Sequence, residues 1–397
     1  MVNVSVIIPA YNSARYIGES INSVLEQTFG DFEIVVVDDG SVDATTEMAT
    51  ASGDPRIRVI RKPNGGTASA RNVGIQNSTG TYLQFLDADD IILPGKLTTQ
   101  VRLLETHPTV DIVYSSFRCF QDDQCELHPP DWLRPPSRDP YRELVSGSAF
   151  PLHAALARRD SVESVGMFDS ELISAEDWDL WIRLARAGHG FMYHEDLYAL
   201  YRQHASSKTR RRARWRHAHV LVMENLRRLA EGEEELQRVN WYIHASRNYV
   251  LWALALLADG EHALSREAFR EAYSLNTHLG YSQETLARRI AEYARAIEKD
   301  SSGQSAVVGA RWLDAVQSCL PGEYPGKAVI RTSRALYWLG KAHQAHLLGV
   351  RRAVRGYLWN AVGCHGIRYM NCGTISALLQ SVIGPSNWMR MKRLWKR

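Results

Sequence analysis

Three carboxylates crowd the segment Asp87-Ala88-Asp89-Asp90, directly after the apolar run Tyr82-Leu83-Gln84-Phe85-Leu86. Acids this close at the end of a buried strand repel one another unless a positive group lies among them. A divalent cation carrying a phosphorylated substrate meets that need, because hard cations take carboxylate and phosphate oxygens together. The same pattern also caps helices and makes turns, so its neighbours decide its meaning.

Several neighbours carry compatible chemistry, each beside a structural reading. Asp38-Asp39-Gly40-Ser41 ends a second apolar run. Its acids can accept hydrogen bonds from ribose hydroxyls or a base imide, or form an Asx-turn. Pro9-Ala10-Tyr11-Asn12 ends the first run, where Tyr11 can stack on a base or Asn12 can cap the next helix. Asn64-Gly65-Gly66-Thr67 opens a helix with two glycines, a geometry suited to phosphate. About one turn on, Arg71 is placed to fork onto a diphosphate, or to be a solvated surface arginine. In Ser174-Ala175-Glu176-Asp177-Trp178, Ser174 and Asp177 have the spacing of a capping box. Alternatively, Asp177 is a general base whose pKa rises beside Trp178. His204, in Tyr201-Arg202-Gln203-His204, can deliver an imidazole to a metal, or be an ordinary surface or core histidine.

These residues need a scaffold. Residues 1 to about 115 alternate short β-branched runs (Val4–Ile8, Ile34–Val37, Ile57–Ile60, Tyr82–Leu86, Ile112–Tyr114) with helical patterns near 17–25, 43–51, 67–76 and 96–105. That rhythm predicts an α/β fold, a mostly parallel sheet with helices on both faces. Residues 120–150 are irregular and Pro-rich, which predicts a long loop or a connection. A helix is expected at about 176–187, with Gly188 as its stop. From Ala205 strand signals nearly vanish. The basic run 206–212 reads as a linker, and 241–257 with 262–273 read as a helical pair with small residues at Ala268 and Ala272.

The chain has 397 residues, 45% hydrophobic and 23% charged, as in an ordinary globular protein of two or three domains. The strand signal at Val4 leaves no room for a secretory signal, and no segment approaches twenty uninterrupted apolar residues. Five cysteines at no metal spacing read as idle thiols of a reducing cytoplasm. The absence of a glycine-rich dinucleotide fingerprint and of a P-loop argues against nicotinamide and P-loop nucleotide chemistry. After Glu323 there is no acid but thirteen Lys and Arg side chains. The last segment, 386–397, mixes Trp and Met with five cations, the composition of an interfacial anchor on anionic lipid. No nucleic-acid partner is expected.

In their order, Val6–Asn12, Ile34–Ser41, Ala70–Gly74, Phe85–Asp90, Ala175–Trp181 and Tyr201–His204 resemble the family 2 inverting glycosyltransferases. The resemblance covers residues 1–208. It implies a GT-A nucleotide-sugar domain over 1–208 and leaves 209–397 as a helical C-terminal domain with a basic tail. By position it implies that Pro9, Ala10, Tyr11, Asn12, Asp38, Asp39, Arg71 and Asp87 line the nucleotide. Asp87 and Asp89 would be a DxD pair for Mn2+ or Mg2+, with Asp89 the preferred direct ligand and His204 completing the shell. Asp177 would be the catalytic base.

The implied reaction moves a sugar from a UDP-sugar, or a GDP- or dTDP-sugar, to a glycan or lipid-linked hydroxyl, at a cytoplasmic site peripheral to the inner face of the membrane. The alternative is a non-catalytic nucleotide-sugar-binding protein on the same fold. A phosphotransferase with an Asp-x-Asp nucleophile is set aside, because that pair follows a first strand and this one a fourth.

Overall fold

A computed structural model describes residues 2–121, 124–128, 139–204, 212–300, 307–324, 326–347, 357 and 360–361. The segment 386–397, expected to be an anchor, and most of 206–212, expected to be a linker, lie outside the described residues. The chain divides into two compact units, Met1–Trp241 and Tyr242–Arg397.

The first unit is built on β1 (Val4–Ala10), β2 (Phe32–Asp38), β3 (Ile57–Arg61) and β4 (Tyr82–Phe85). Between them run α1 (Ile17–Leu25), α2 (Thr45–Thr50) and α3 (Thr67–Gln76). β1 pairs in parallel with β2 and with β4, and β2 with β3. Because strand side chains alternate, the apolar runs divide between two faces. Val4, Val6, Ile8, Ile34 and Val36 join a core with Ile17, Ile21 and Val24 of α1. Val35 and Val37 pack on Ala70 of α3. Burial of both faces is why these strands are predominantly apolar.

The remaining strands are β5 (Ile91–Ile92), β6 (Ile112–Gln121), β7 (Gln124–His128), β8 (Ala155–Arg158) and β9 (Phe191–Arg202). The sheet order is β3-β2-β1-β4-β8-β6-β9-β5, with β7 paired to β6. β8 runs antiparallel between β4 and β6, whereas β9 is parallel to β6. The Pro-rich stretch is therefore not wholly loop: β6 continues to Gln121, β7 follows, and Pro140–Val145 forms α5. In order come α4 (Lys96–Thr106), α6 (Arg159–Ser164) and α7 (Glu176–Arg186). This arrangement gathers the carboxyl ends of β1, β2 and β4 at one edge, where open α/β sheets bind ligands.

Two helices after the linker, α8 (Arg212–Leu229) and α9 (Glu233–Arg238), belong to this first unit. Arg186 of α7 pairs with Glu235 at 2.8 Å, and the Trp178 ring packs on His219. The unit thus extends past the resemblance to Trp241.

The second unit is helical: α10 (Trp241–Ala258), α11 (His262–Leu275), α12 (Gln283–Asp300), α13 (Val307–Cys319) and α14 (Gly326–Leu347). Small residues let α10 and α11 approach closely. Ser246 donates to the Ala272 carbonyl at 2.7 Å and Ser265 to the Ala253 carbonyl at 2.8 Å. Among the described residues no helix is long and apolar enough to cross a membrane.

Candidate active site

The end of β2 is locked by its acids. Asp38 is buried; Oδ1 accepts the Ser41 N–H at 2.8 Å and Oδ2 the Thr46 hydroxyl at 2.7 Å. Burial raises its pKa, but these hydrogen bonds outweigh that and hold it below the ordinary value. Asp38 therefore makes the Asx-turn. Asp39 ties the first turn of α3 to the sheet. Its Oδ1 accepts from Lys62 Nζ at 2.6 Å and the Gly65 N–H at 2.9 Å, and Oδ2 accepts from the Gly66 N–H at 2.8 Å. The two glycine amides expected to face phosphate thus face Asp39.

At the end of β1, Pro9 and Ala10 are buried, and the Tyr11 ring is 51% exposed beyond them. Asn12 adopts a left-handed conformation (φ 50°), which asparagine tolerates. It staples two loops: its N–H goes to Ser41 Oγ and its Oδ1 accepts from the Val42 N–H, both at 2.9 Å. The expected capping role is absent, since α1 has Tyr16 at its N-cap.

Arg71 is no surface residue. It is 3% exposed, with NH2 2.6 Å from Asp87 Oδ1 and NH1 2.6 Å from Glu176 Oε1. Burial works against the charge, yet Asp87 and Glu176 together raise its pKa. The side chain placed by motif on a diphosphate here joins the acidic cluster after β4 to the first turn of α7.

The start of α7 answers the capping question. Its N-cap is Ala175, at φ 60°, with no side-chain cap bond, so Ser174 and Asp177 do not close a box. Asp177 Oδ1 instead accepts the adjacent Trp178 N–H at 2.8 Å. Burial, then repulsion from Glu176, pushes its carboxyl up to about 6, against the pull of Arg71. A non-glycine residue in the left-handed region costs about 1–3 kcal/mol and marks a place held by its surroundings. Three residues on, Trp178 is buried, with Nε1 donating to the Leu144 carbonyl at 2.6 Å.

Asp89 Oδ2 lies 2.8 Å from His204 Nε2. The His204 ring packs on Tyr16 at 4.9 Å between centroids. Asp90 is buried, its Oδ1 accepting the Arg202 N–H at 2.8 Å and its Oδ2 2.9 Å from His153 Nδ1. Tyr201 shows how closely the acids gather. Its hydroxyl is pushed up by burial and then by the charges of Asp90, Asp87, Asp89 and Asp177.

Among the described residues no three His, Cys, Asp or Glu side chains assemble as a metal-binding group. Asp87, expected as a third ligand, turns to Arg71. Asp89 and His204 fit a cation in donor type, a carboxylate oxygen and an imidazole nitrogen. Two protein ligands leave room for substrate phosphates, the usual way such ions are held.

Motif reading reaches Arg71, Asp87, Asp89, Asp177 and His204 but misses Glu176, His153, Lys62 and Tyr201 as members of the site. Glu176 and Tyr201 lie within the quoted motifs without having been given a role there, so inspection of those motifs could have raised them. His153, in a stretch with no motif, gives no signal.

Residues 5–166 match the family model described as Glycosyl transferase family 2. An uncharacterized glycosyltransferase of Rickettsia typhi is 36% identical over 202 residues, which cover 49% of this chain and 62% of that protein. The chain therefore spans less than two thirds of that relative. Among solved structures, S. aureus TarS 1–349 in complex with UDP-GlcNAc is 19% identical at a TM-score of 0.50, covering 87% of this chain and 92% of that one. The mannosyltransferase PcManGT of Pyrobaculum calidifontis, in complex with GDP-Man and Mn2+, is 21% identical at a TM-score of 0.50, covering 79% and 86%. At such identities the two structures speak for the fold alone. Over residues 5–166, which build most of the sheet, the chain thus carries a glycosyltransferase family 2 domain, on a GT-A fold.

Proposed function

We propose that this protein transfers a glycosyl group from a nucleoside-diphosphate sugar, a UDP-sugar first among them, to a hydroxyl of a glycan or lipid-linked acceptor, with inversion. The observation that carries the reading is Asp177, a carboxyl at the start of α7 that burial and its neighbours Glu176 and Asp87 push up to about 6. A base with that pKa is ionised at neutral pH and still basic enough to take a proton in a transition state.

Asp177 accepts the acceptor's hydroxyl proton as that oxygen forms its bond to the anomeric carbon. The bond from that carbon to the diphosphate oxygen breaks on the opposite face, and the electron pair leaves with the nucleoside diphosphate. One displacement inverts the centre and needs no enzyme nucleophile. Arg71 holds Asp87 and Glu176 in place, and its charge favours the ionised base. Tyr11, with Pro9, Ala10 and Asn12, borders the nucleotide base. Asp39 and Asp38 shape the floor through the turns they hold. A divalent cation at Asp89 and His204, Mn2+ or Mg2+, supplies charge neutralisation on the leaving diphosphate when bound.

TarS is known in complex with UDP-GlcNAc and PcManGT with GDP-Man and Mn2+, so the nucleotide is the first thing to test. A screen of UDP-, GDP- and dTDP-sugars on the purified chain, following nucleoside diphosphate release with Mn2+, Mg2+ or a chelator, decides it. Metal-dependent release from one nucleotide class with an acceptor present supports the reading. Donor binding without turnover on any acceptor tried would favour a binding protein instead. The basic tail adds a location: residues 386–397 would hold the protein on anionic lipid at the cytoplasmic face. Co-sedimentation of full-length and truncated protein with neutral and anionic vesicles tests that part separately.

A further inference from the structure

Behind the acidic cluster, two buried side chains from distant parts of the chain make a contact that the proposed reaction does not use. Asp90 and His153 have side chains each 2% exposed, with His153 Nδ1 2.9 Å from Asp90 Oδ2. The other carboxylate oxygen accepts the backbone N–H of Arg202 at 2.8 Å. The Arg202 side chain returns the contact, Nε donating to the Asp89 carbonyl at 2.7 Å. Two residues beyond Arg202, His204 meets Asp89 at 2.8 Å. These contacts close a ring: Asp89 to Asp90 by the chain, Asp90 to the Arg202 backbone, Arg202 to His204 by the chain, His204 to Asp89.

His153 is the outside support of that ring. Its carbonyl accepts from Gln84 Nε2 at 3.1 Å, which fixes the residue to β4. Its ring lies parallel to Tyr201, 7° between planes at 6.1 Å. Nε2 is buried with no hydrogen-bond partner, and Asp90 Oδ2 likewise makes no aligned hydrogen bond, so the ring meets Asp90 as a close polar contact between Nδ1 and Oδ2. A buried carboxylate next to two further acids is costly unless another group compensates it. His153 is the side chain placed to do so.

We propose that Asp90 and His153 are a positioning pair that sets the separation of Asp89 and His204 and so tunes cation affinity at that end of the site. The inference rests on the glycosyltransferase reading only for the cation; the ring itself is a matter of contacts. Outer partners of metal ligands act in this way by fixing ligand orientation, and their loss commonly costs about 10–100-fold in metal affinity.

The test uses the full chain with UDP and Mn2+, bound Mn2+ being read by electron paramagnetic resonance, with thermal melting of the metal-free protein as a fold control. His153→Leu keeps bulk and removes the contact. His153→Asn puts an amide nitrogen near the place of Nδ1. The expected result is Mn2+ affinity about 10-fold weaker in the leucine variant and largely recovered in the asparagine variant. If the leucine variant does not fold, Asp90→Asn carries the test, since it keeps one oxygen for the Arg202 amide and alters the His153 side; it too should bind Mn2+ more weakly. A folded leucine or Asp90→Asn variant with wild-type Mn2+ affinity overturns the inference while leaving the proposed function standing. A wild-type chain that binds no Mn2+ with any nucleotide overturns the cation assignment and this inference together, whereas turnover without metal would spare the transferase reading.

Discussion

Arg71 and Glu176 are separated by 105 positions in sequence and by 2.6 Å between NH1 and Oε1 in space. The same guanidinium meets Asp87 with its other nitrogen. One buried cation therefore carries the mechanical link between the end of β4 and the start of α7, and its charge opposes the burial and repulsion that raise Asp177.

Replacing Arg71 with Met should be costly twice over. Glu176 and Asp87 lose their partner, and removing one member of a buried pair costs about 3–5 kcal/mol. The remaining folded protein should show the acid limb of its pH–rate profile moved upward, because Arg71 no longer favours ionised Asp177. Urea unfolding and a pH–rate profile check the two halves. An unmoved limb would mean that Arg71 does not act on the base.

Asp177→Asn separates base from scaffold. The amide oxygen can still accept the Trp178 N–H, so the helix start should survive while turnover falls about 100-fold or more. Stability should move the other way. A carboxyl raised from 3.8 to about 6 binds its proton more tightly folded than unfolded, so the wild type loses stability as pH rises through that window. The variant escapes this loss and should melt higher at pH 7. In the wild type, activity should fall as pH drops below about 6. A lower melting temperature with retained turnover would return Asp177 to a structural role.

The parallel half of the fold is plain in the sequence because burial on both faces leaves β1, β2 and β4 predominantly apolar. The antiparallel half is not. β8 has only four residues, Ala155-Leu156-Ala157-Arg158, without one β-branched side chain. β9 carries Glu195-Asp196 in its middle, where its register against β6 shifts. Ordered motifs led to Asp87, Asp89, Asp177 and His204, because each lies just past the end of a strand or, for Asp177, at the start of a helix. Pairing is a different kind of information. Neither Arg71 with Glu176 nor Asp90 with His153 leaves a periodic trace, since one contact between remote residues imposes no pattern on its surroundings. The helical unit could be foreseen as helical, but its role has no residue signal.

Lys96 gives a pH test away from the site. Its ammonium is fully buried, held by Gln84, by Gln100 at 2.6 Å and by the Ala155 carbonyl at 3.3 Å, with no acid among these partners. Burial pushes its pKa well below the ordinary value. Between that lowered value and 10.5 the unfolded chain binds the proton that the folded chain has released. Stability from this group therefore rises with pH, by at most about 1.4 kcal/mol per unit. Against Lys96→Met, the wild type should gain melting temperature steadily from pH 7 toward pH 10. A constant difference across that range would mean that Lys96 keeps its charge in the fold.

The last prediction concerns how closely α3 must lie on the sheet for Arg71 to reach its partners. Gly74 is three residues beyond Arg71, and a Cβ there would fall 2.4 Å from Cγ2 of Ile7, a fully buried β1 residue. Neither neighbour can yield cheaply, since one is helix backbone and the other a packed side chain. Gly74→Ala should therefore lift α3 from β1, cost about 1–3 kcal/mol, and weaken donor binding by pulling Arg71 from Asp87 and Glu176. Ile7→Ala leaves a cavity of its own but removes the atom in the way. In a double-mutant cycle the pair should lose clearly less stability than the two single changes added, and donor affinity should partly return. Strict additivity would show that the close approach of Gly74 to Ile7 does not set the height of α3.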